Sequence, residues 1–349
     1  MPRQREWTKR DVDILYELYK VREMTKQQIL QSYFEGNERY GSKRLYVLRG
    51  EGLVTSEIHG GNGQGGKRVR TAYYRLTARG LELLRKKGVV EETKYRARDL
   101  ELTAQQRQYI IDANELHIRL PEVVYMDSRV IKRKYKLNRG NLTVGGFSNE
   151  HGDYMIFILN ADAKETTLQK ILMEIKAKKY ISGYLVYYKS PSVKRAFEAL
   201  CYEQALVTGG IPLYMLPFDS KGIEITRHYI LSTNAFSNLQ ELLSSYGTLT
   251  RVKEGSNKHG FLYGMRREDG LLTPYVVEMI TGDIMILKRC LRNYNVDAYQ
   301  REGRRVLLFC YEDEVQRYRD ELLSVTYVDV IGVPKMVLES SFEGRDAIT

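Results

Sequence analysis

The stretch Trp7–Lys87 leaves this chain few folds to choose from. Thr8 stands as a helix cap before Lys9-Arg10-Asp11, and Val12, Leu15, Leu18 and Tyr19 then recur on one helical face. Thr25 caps a second, short helix with Ile29 and Leu30 inward. Gly36-Asn37 opens a third, in which Leu45 and Leu48 face a core, and Gly50-Glu51-Gly52 ends it where glycine permits a left-handed turn. Leu53–Ile58 reads as a strand, His59–Gly66 as a flexible tip and Lys67–Leu76 as the returning strand. Thr77-Ala78-Arg79-Gly80 then starts a fourth helix carrying Leu81, Leu83 and Leu84. Three helices, a two-stranded wing and a further helix is the order of a winged helix-turn-helix.

Charge points the same way. The chain carries a net charge of +11, and residues 1–98 hold 22 Lys and Arg against 12 Asp and Glu. The remaining residues hold 33 against 32, so nearly all the excess sits on the N-terminal segment. A basic segment on a near-neutral body is the footprint of polyanion binding, with double-stranded DNA the expected partner. In such a module the third helix enters the major groove and its first turns meet base edges. Arg39, Tyr40, Ser42, Lys43 and Arg44 occupy that start and outer side, where Arg and Lys pair with guanine acceptors or phosphates. Lys67, Arg68 and Arg70 flank the glycine-rich tip and are placed for a neighbouring groove or backbone. The competing reading of the third helix is a solvated charged face on a protein-interaction module.

Three runs extend the argument: TKRDVDILYELYKVREMTKQQILQSYF, then RLYVLRGEGLV, then YYRLTARGLELL. Together they resemble the N-terminal part of the replication-relaxation family, plasmid and mobile-element proteins implicated in replication and DNA relaxation. Tyr109–Leu116 followed by Ile118-Arg119-Leu120 looks like that family's helix after the wing, although Gln108-Tyr109 stands where the family often has a histidine. The likeness covers residues 7–120 and fades beyond. It implies a DNA-binding head at residues 1–90 and a role in replication initiation or transfer-origin processing.

Glu91–Asp99 is charged and poor in apolar residues, and reads as a linker. Beyond it an order of elements recurs. The first round is a helix at 103–118, strands near 129–136, 141–147 and 154–160, a helix at 165–180, a strand at 184–188, a helix at 192–206 and a strand at 212–216. The second is a helix at 235–246, strands near 248–253, 260–266 and 274–280, a helix at 284–299, a strand at 305–310, a helix at 312–323 and a strand at 326–331. Strands alternating with amphipathic helices imply α/β layers. The expected fold class is therefore α+β or α/β: a winged helix followed by a duplicated α/β body, at 100–220 and 221–338, whose α-β-β-β-α-β order resembles the restriction-endonuclease-like core, with a loose polar tail at 339–349.

Such a nuclease core needs clustered carboxylates to hold Mg²⁺. In the first round the corresponding positions read Asn141 and Asn160-Ala161-Asp162; in the second, only Glu278 stands on the third strand. Glu174-Ile175-Lys176 has the right residue types but falls within a helix, where Glu174 and Lys178 suit a surface pair. The five histidines (His59, His117, His151, His228, His259) include no His-x-His of a rolling-circle relaxase, and no GxxxxGK[ST] phosphate loop occurs. Cys201, Cys290 and Cys310 have neither zinc spacing nor an even number for a disulfide framework, and suit a reducing cytoplasm. No run is long and apolar enough to span a membrane. The expectation is a sequence-specific DNA-binding protein acting as a homodimer, with no cofactor or metal, no catalytic residues and replication or transfer proteins as further partners. A transcription regulator with the same head, or a metal-dependent nickase, remains open at this point.

Overall fold

The computed structural model describes residues 6–62, 68–91, 95–177, 180–253, 258–266 and 273–346. They form a mixed α/β chain with three sheets, divided into two compact units, 1–122 and 123–349. No helix among the described residues is long and apolar enough to cross a membrane.

In the first unit, α1 (Lys9–Val21), α2 (Lys26–Tyr33) and α3 (Glu38–Gly50) are joined by β1 (Glu23–Thr25) and the loop after α2. Thr8 and Thr25 each close a reciprocal capping box, satisfying backbone donors that a helix start leaves open. The buried face of α1 is Asp11, Ile14, Leu15, Leu18, Tyr19 and Val21, with Val12 only half-buried. Gly41 lets α3 lie against α2: a Cβ there would stand 2.7 Å from the Phe34 ring. The hairpin of β2 (Val54–Asn62) and β3 (Arg68–Leu76) runs in register from Val54↔Leu76 to Asn62↔Arg68, and β1 adds to β3, giving the order β1-β3-β2. His59–Asn62, expected as the start of a flexible tip, instead continue β2 in ladder pairing with β3, while 63–66 of the tip and Lys67, expected in the returning strand, lie outside the described residues. Thr77 caps α4 (Ala78–Lys86).

The unit boundary falls beyond the expected linker. Residues 97–100 make a tight turn with Leu100 buried. Arg22 donates to the Leu100 and Glu101 carbonyls and Arg85 to that of Tyr95, so the segment is tied down. The helix expected to open the body, α5 (Ala104–Arg119), belongs to the first unit. Asn114 donates to the Glu23 carbonyl (2.7 Å), Gln28 to that of Ile111 (2.9 Å), and Arg107 grips the buried Glu23 carboxylate at 2.9 and 3.0 Å. A buried carboxylate needs such a partner, and here the partner lies 84 residues away.

The second unit holds two five-stranded sheets of one design. The first runs β4 (Val124–Asp127), β5 (Gly145–Asn149), β6 (Gly152–Leu159), β7 (Gly183–Tyr188), β8 (Leu213–Pro217). Its first two joins are antiparallel and its last two parallel. Residues 129–136, expected as a strand, are instead mostly α6 (Ser128–Lys134). Asp127 caps it by accepting from Arg129 N (2.6 Å) and Val130 N. Helices α7 (Glu165–Lys176) and α8 (Pro191–Glu203) link the parallel strands and close a core around Phe157, Leu172, Tyr184 and Phe197. Glu174, expected in a surface pair, turns inward and accepts from the backbone of Leu142 (2.5 Å) and Thr143 (3.3 Å); Lys178 lies outside the described residues.

After α9 (Ser220–Ile225), continued as a wider turn to Ile230, and α10 (Ala235–Leu242), the design returns. The strands are β9 (Thr248–Arg251), β10 (Tyr263–Arg266), β11 (Tyr275–Glu278), β12 (Val306–Tyr311) and β13 (Val328–Val333), in that order across the sheet. Again two antiparallel joins precede two parallel ones. The helix expected over 284–299 is split into α11 (Ile284–Asn293) and α12 (Val296–Glu302), because Asn295 caps the second by accepting from Ala298 N. Helix α13 (Val315–Glu321) precedes β13, and Phe261, Tyr275, Tyr294, Leu308 and Tyr318 fill this core. The tail expected to be loose contributes α14 (Lys335–Asp346), which buries Leu338 and Phe342 and sets the Phe342 ring 5.9 Å from His228 and 6.2 Å from Tyr229. Leu338 and Phe342 lie one turn apart, a short apolar stripe that a polar composition hides. The three cysteines are all buried, Cys201 in the first half and Cys290 and Cys310 in the second.

Candidate nucleic-acid interface

Helix α3 presents two unlike faces. Asn37 caps it by accepting from Tyr40 N (3.3 Å), and Gly41, Leu45 and Leu48 fix its inner side. Outward stand Arg39, Tyr40, Lys43, Tyr46 and Arg49, all exposed, with Tyr46 at 68%. Arg39, Lys43 and Tyr46 follow at steps of four and three and so share one helical stripe. Tyr40 is braced edge-on by Phe34 (5.9 Å between rings). Arg49 lies over the Tyr46 ring (5.6 Å) and reaches Ser56 on the adjacent β2 (3.2 Å), linking the helix to the hairpin. Arg70, near the far end of β3 opposite Gly60, is exposed.

One sequence-expected residue, Arg44, has another task. Arg44 is half-buried and forms a two-pronged ion pair with Asp11, Nε to Oδ1 at 2.6 Å and Nη2 to Oδ2, while its guanidinium lies over the Trp7 ring at 5.7 Å. Asp11 is wholly buried. Burial alone would push its carboxyl up, but the Arg44 and Thr8 hydrogen bonds outweigh that and hold it below the ordinary aspartate value. Arg44 therefore neutralises a buried carboxylate at the start of α1 rather than pointing outward. Ser42 is half-buried beside it. The backbone of Arg68 is placed opposite Asn62, its side chain lies outside the described residues, and so does all of Lys67.

Tyr46 and Arg49 were missed from sequence, although stepping seven residues on from Arg39 reaches Tyr46. Much of the positive charge counted over residues 1–98 is also spent internally. Arg75 pairs with Glu57 and Glu101, and Arg22 and Arg85 hold backbone carbonyls. The exposed basic residues of α3 and the hairpin, Arg39, Lys43, Arg49 and Arg70, are accompanied by others at the start of α1 (Lys9, Arg10) and on and just after α4 (Arg79, Lys86, Lys87).

The carboxylates considered for metal chemistry do not assemble. Asp162 is exposed just beyond β6, while Glu278 ends β11 in the other half. The backbone carbonyl of Asn141 is taken by Lys132 (2.6 Å). Among the described residues no three His, Cys, Asp or Glu side chains come together as a metal-holding group. A carboxylate that sequence did not single out, Asp153, is buried beside a cleft of about 790 Å³. Tyr135 (2.6 Å) and Ser148 (2.8 Å) donate to it and Lys134 pairs with it. Burial would raise its pKa, but these partners outweigh burial and keep it low, as expected of a fixed structural anion. His117 contacts Glu17 (3.0 Å) across 100 residues and His259 contacts Glu302 (2.8 Å) across 43, each a single His–Glu pair.

No protein-family model matches the chain, and neither a curated protein nor a solved structure is found to match it.

Proposed function

We propose that the first unit is a winged helix-turn-helix that binds double-stranded DNA in a sequence-specific manner, with α3 as the recognition helix and the β2–β3 hairpin as the wing. The observation that carries this reading is the outward stripe Arg39, Lys43, Tyr46 on a helix whose opposite face is locked to the core. A rigid helix with cations and a ring on its free face suits a groove lined by phosphates and base edges. Arg49 and Arg70 extend the same charge onto the hairpin. Arg44 supports the interface indirectly, by fixing α3 against the start of α1.

The likeness to replication-relaxation proteins supports a cytoplasmic role at a replication or transfer origin of a plasmid or other mobile element. The second unit, with two sheets of the same strand order, is read as a duplicated restriction-endonuclease-like body acting as a scaffold. Selection of bound sequences from a random DNA library tests the reading. Enrichment of a defined site, with affinity falling steeply as salt rises, is the expected result. Binding that ignores both sequence and salt would discard it, and nicking of supercoiled DNA with Mg²⁺ would restore a catalytic role.

A further inference from the structure

A small, largely enclosed cavity of about 200 Å³ lies between the two halves of the second unit. The halves meet there through backbone as well as side chains. Met215 N donates to the Gly282 carbonyl (2.8 Å), and Tyr214 and Asp283 form an isolated antiparallel bridge. Gly282 has a φ of +72°, and a Cβ there would stand 2.5 Å from the Met215 carbonyl oxygen, so this junction is built for glycine. The cavity is below the range of about 300–1,000 Å³ that holds drug-sized ligands, yet holds several waters' volume at about 30 Å³ each.

Its walls carry both signs of charge. Glu278 and Asp283 line it, and so does Arg289. Glu278 accepts from Thr281 N (3.0 Å) and Thr281 Oγ1 (2.8 Å); Asp283 accepts from the backbone of Leu213 (3.1 Å) and Met285 (3.0 Å). Neither carboxyl is among the salt bridges of the described residues, and neither is Arg289. Arg289 donates from Nη1 to the Gly210 carbonyl (3.1 Å) and also acts on the Cys290 thiol, while its Nε is buried with no hydrogen-bond partner among the described residues. Asp283 and Arg289 feel one another's charge across the cavity but form no close ion pair, which leaves room for a molecule that pairs with both. Tyr214 and Tyr263 supply aromatic wall beside the carboxyls, a surface that favours a cation.

We propose that this cavity binds a small amino-carboxylate of the α-amino acid class, its ammonium held by Glu278 and Asp283 and its carboxylate by Arg289. Burial pushes Glu278 up to about 7, with the Asp283 charge adding to it, and Asp283 up to about 6, its backbone donors and the Arg289 charge drawing it part of the way back. The other groups facing them, Tyr214 and Tyr263, are pushed upward and keep their protons at neutral pH. The inference is independent of the DNA-binding reading.

Calorimetric titration of the full chain with the common α-amino acids, to about 10 mM, tests it. At least one should bind and raise the melting temperature. Its decarboxylated amine and its N-acetyl derivative should each bind at least about tenfold more weakly, as should the variants Asp283→Asn and Arg289→Gln. The heat of binding should also change with the ionisation enthalpy of the buffer, because the arriving ammonium displaces protons from the carboxyls. No binding by any amino acid, or an amine that binds as well as its parent, overturns the proposal. Folded variants of unchanged affinity overturn it too. Should a variant fail to fold, the amine and N-acetyl comparisons on the unaltered chain decide alone.

Discussion

Arg44 and Lys43 are neighbours with opposite fates, and two substitutions separate them. Removing the Arg44 guanidinium leaves Asp11 buried without its partner, a class of change that costs on the order of 3 kcal/mol. Arg44→Ala should therefore lower the denaturant midpoint markedly. Lys43→Ala, at an exposed position, should change stability by no more than about 0.5 kcal/mol while weakening DNA binding by about 1 kcal/mol or more. Equal stability of the two variants in urea titration would count against the assigned roles. The acids also predict opposite pH responses. Asp11 has a lowered pKa in the folded chain, so its contribution is present above the unfolded value and is lost as pH falls through the folded one. Glu278 is raised to about 7, so between the unfolded glutamate value and that point the folded chain keeps a proton the unfolded chain has lost. Stability should fall as pH rises through this window, and Glu278→Gln should remove that part of the fall. Urea unfolding at about pH 5 and about pH 8 checks the sign.

At the scale of elements, helix starts were legible because a cap is a relation within three residues. Thr8 and Thr25 cap as expected, and Asn37 and Thr77 cap the helices expected to open at those residues. Asp127 and Asn295 carry the same signal, and it is these caps that make α6 a helix rather than the expected strand and divide the expected single helix into α11 and α12. What the sequence hides is long-range. Nothing local tells that Arg107 answers Glu23, or that Arg44 answers Asp11 across 33 residues. The exposure of Arg39, Tyr40, Lys43 and Arg70 matches what type and position lead one to expect, whereas the fate of Arg44 required the fold. The docking of α5 yields its own prediction. Arg107→Ala strands a buried carboxylate on β1, and amide hydrogens of α5 should then exchange faster, at least in proportion to the lost stability.

At the scale of the whole molecule, a fragment of residues 1–122 contains α5 and its polar clamp, while one of residues 1–98 ends before it. The longer fragment should unfold cooperatively and bind DNA with the affinity of the full chain. The shorter one exposes Glu23 and the α5 seat, and should melt at lower temperature by calorimetry. If instead the second unit supplies DNA contacts or dimerisation, the longer fragment will bind more weakly and with a smaller salt slope. Sedimentation of the full chain with and without its DNA site reports whether two copies read paired half-sites.

The buried cysteines turn this architecture into a clock. Thiolate is the reactive form, and burial pushes all three thiols up to about 12. In the folded chain they are shielded from alkylating reagents and become reactive only when the surrounding core parts. Cys201 lies in the core of the first half, Cys290 and Cys310 in that of the second. The order in which a mild alkylating reagent marks them, followed by peptide mass mapping, therefore times the opening of each half separately, with no introduced label. Halves held together by their shared backbone junction would be marked in step.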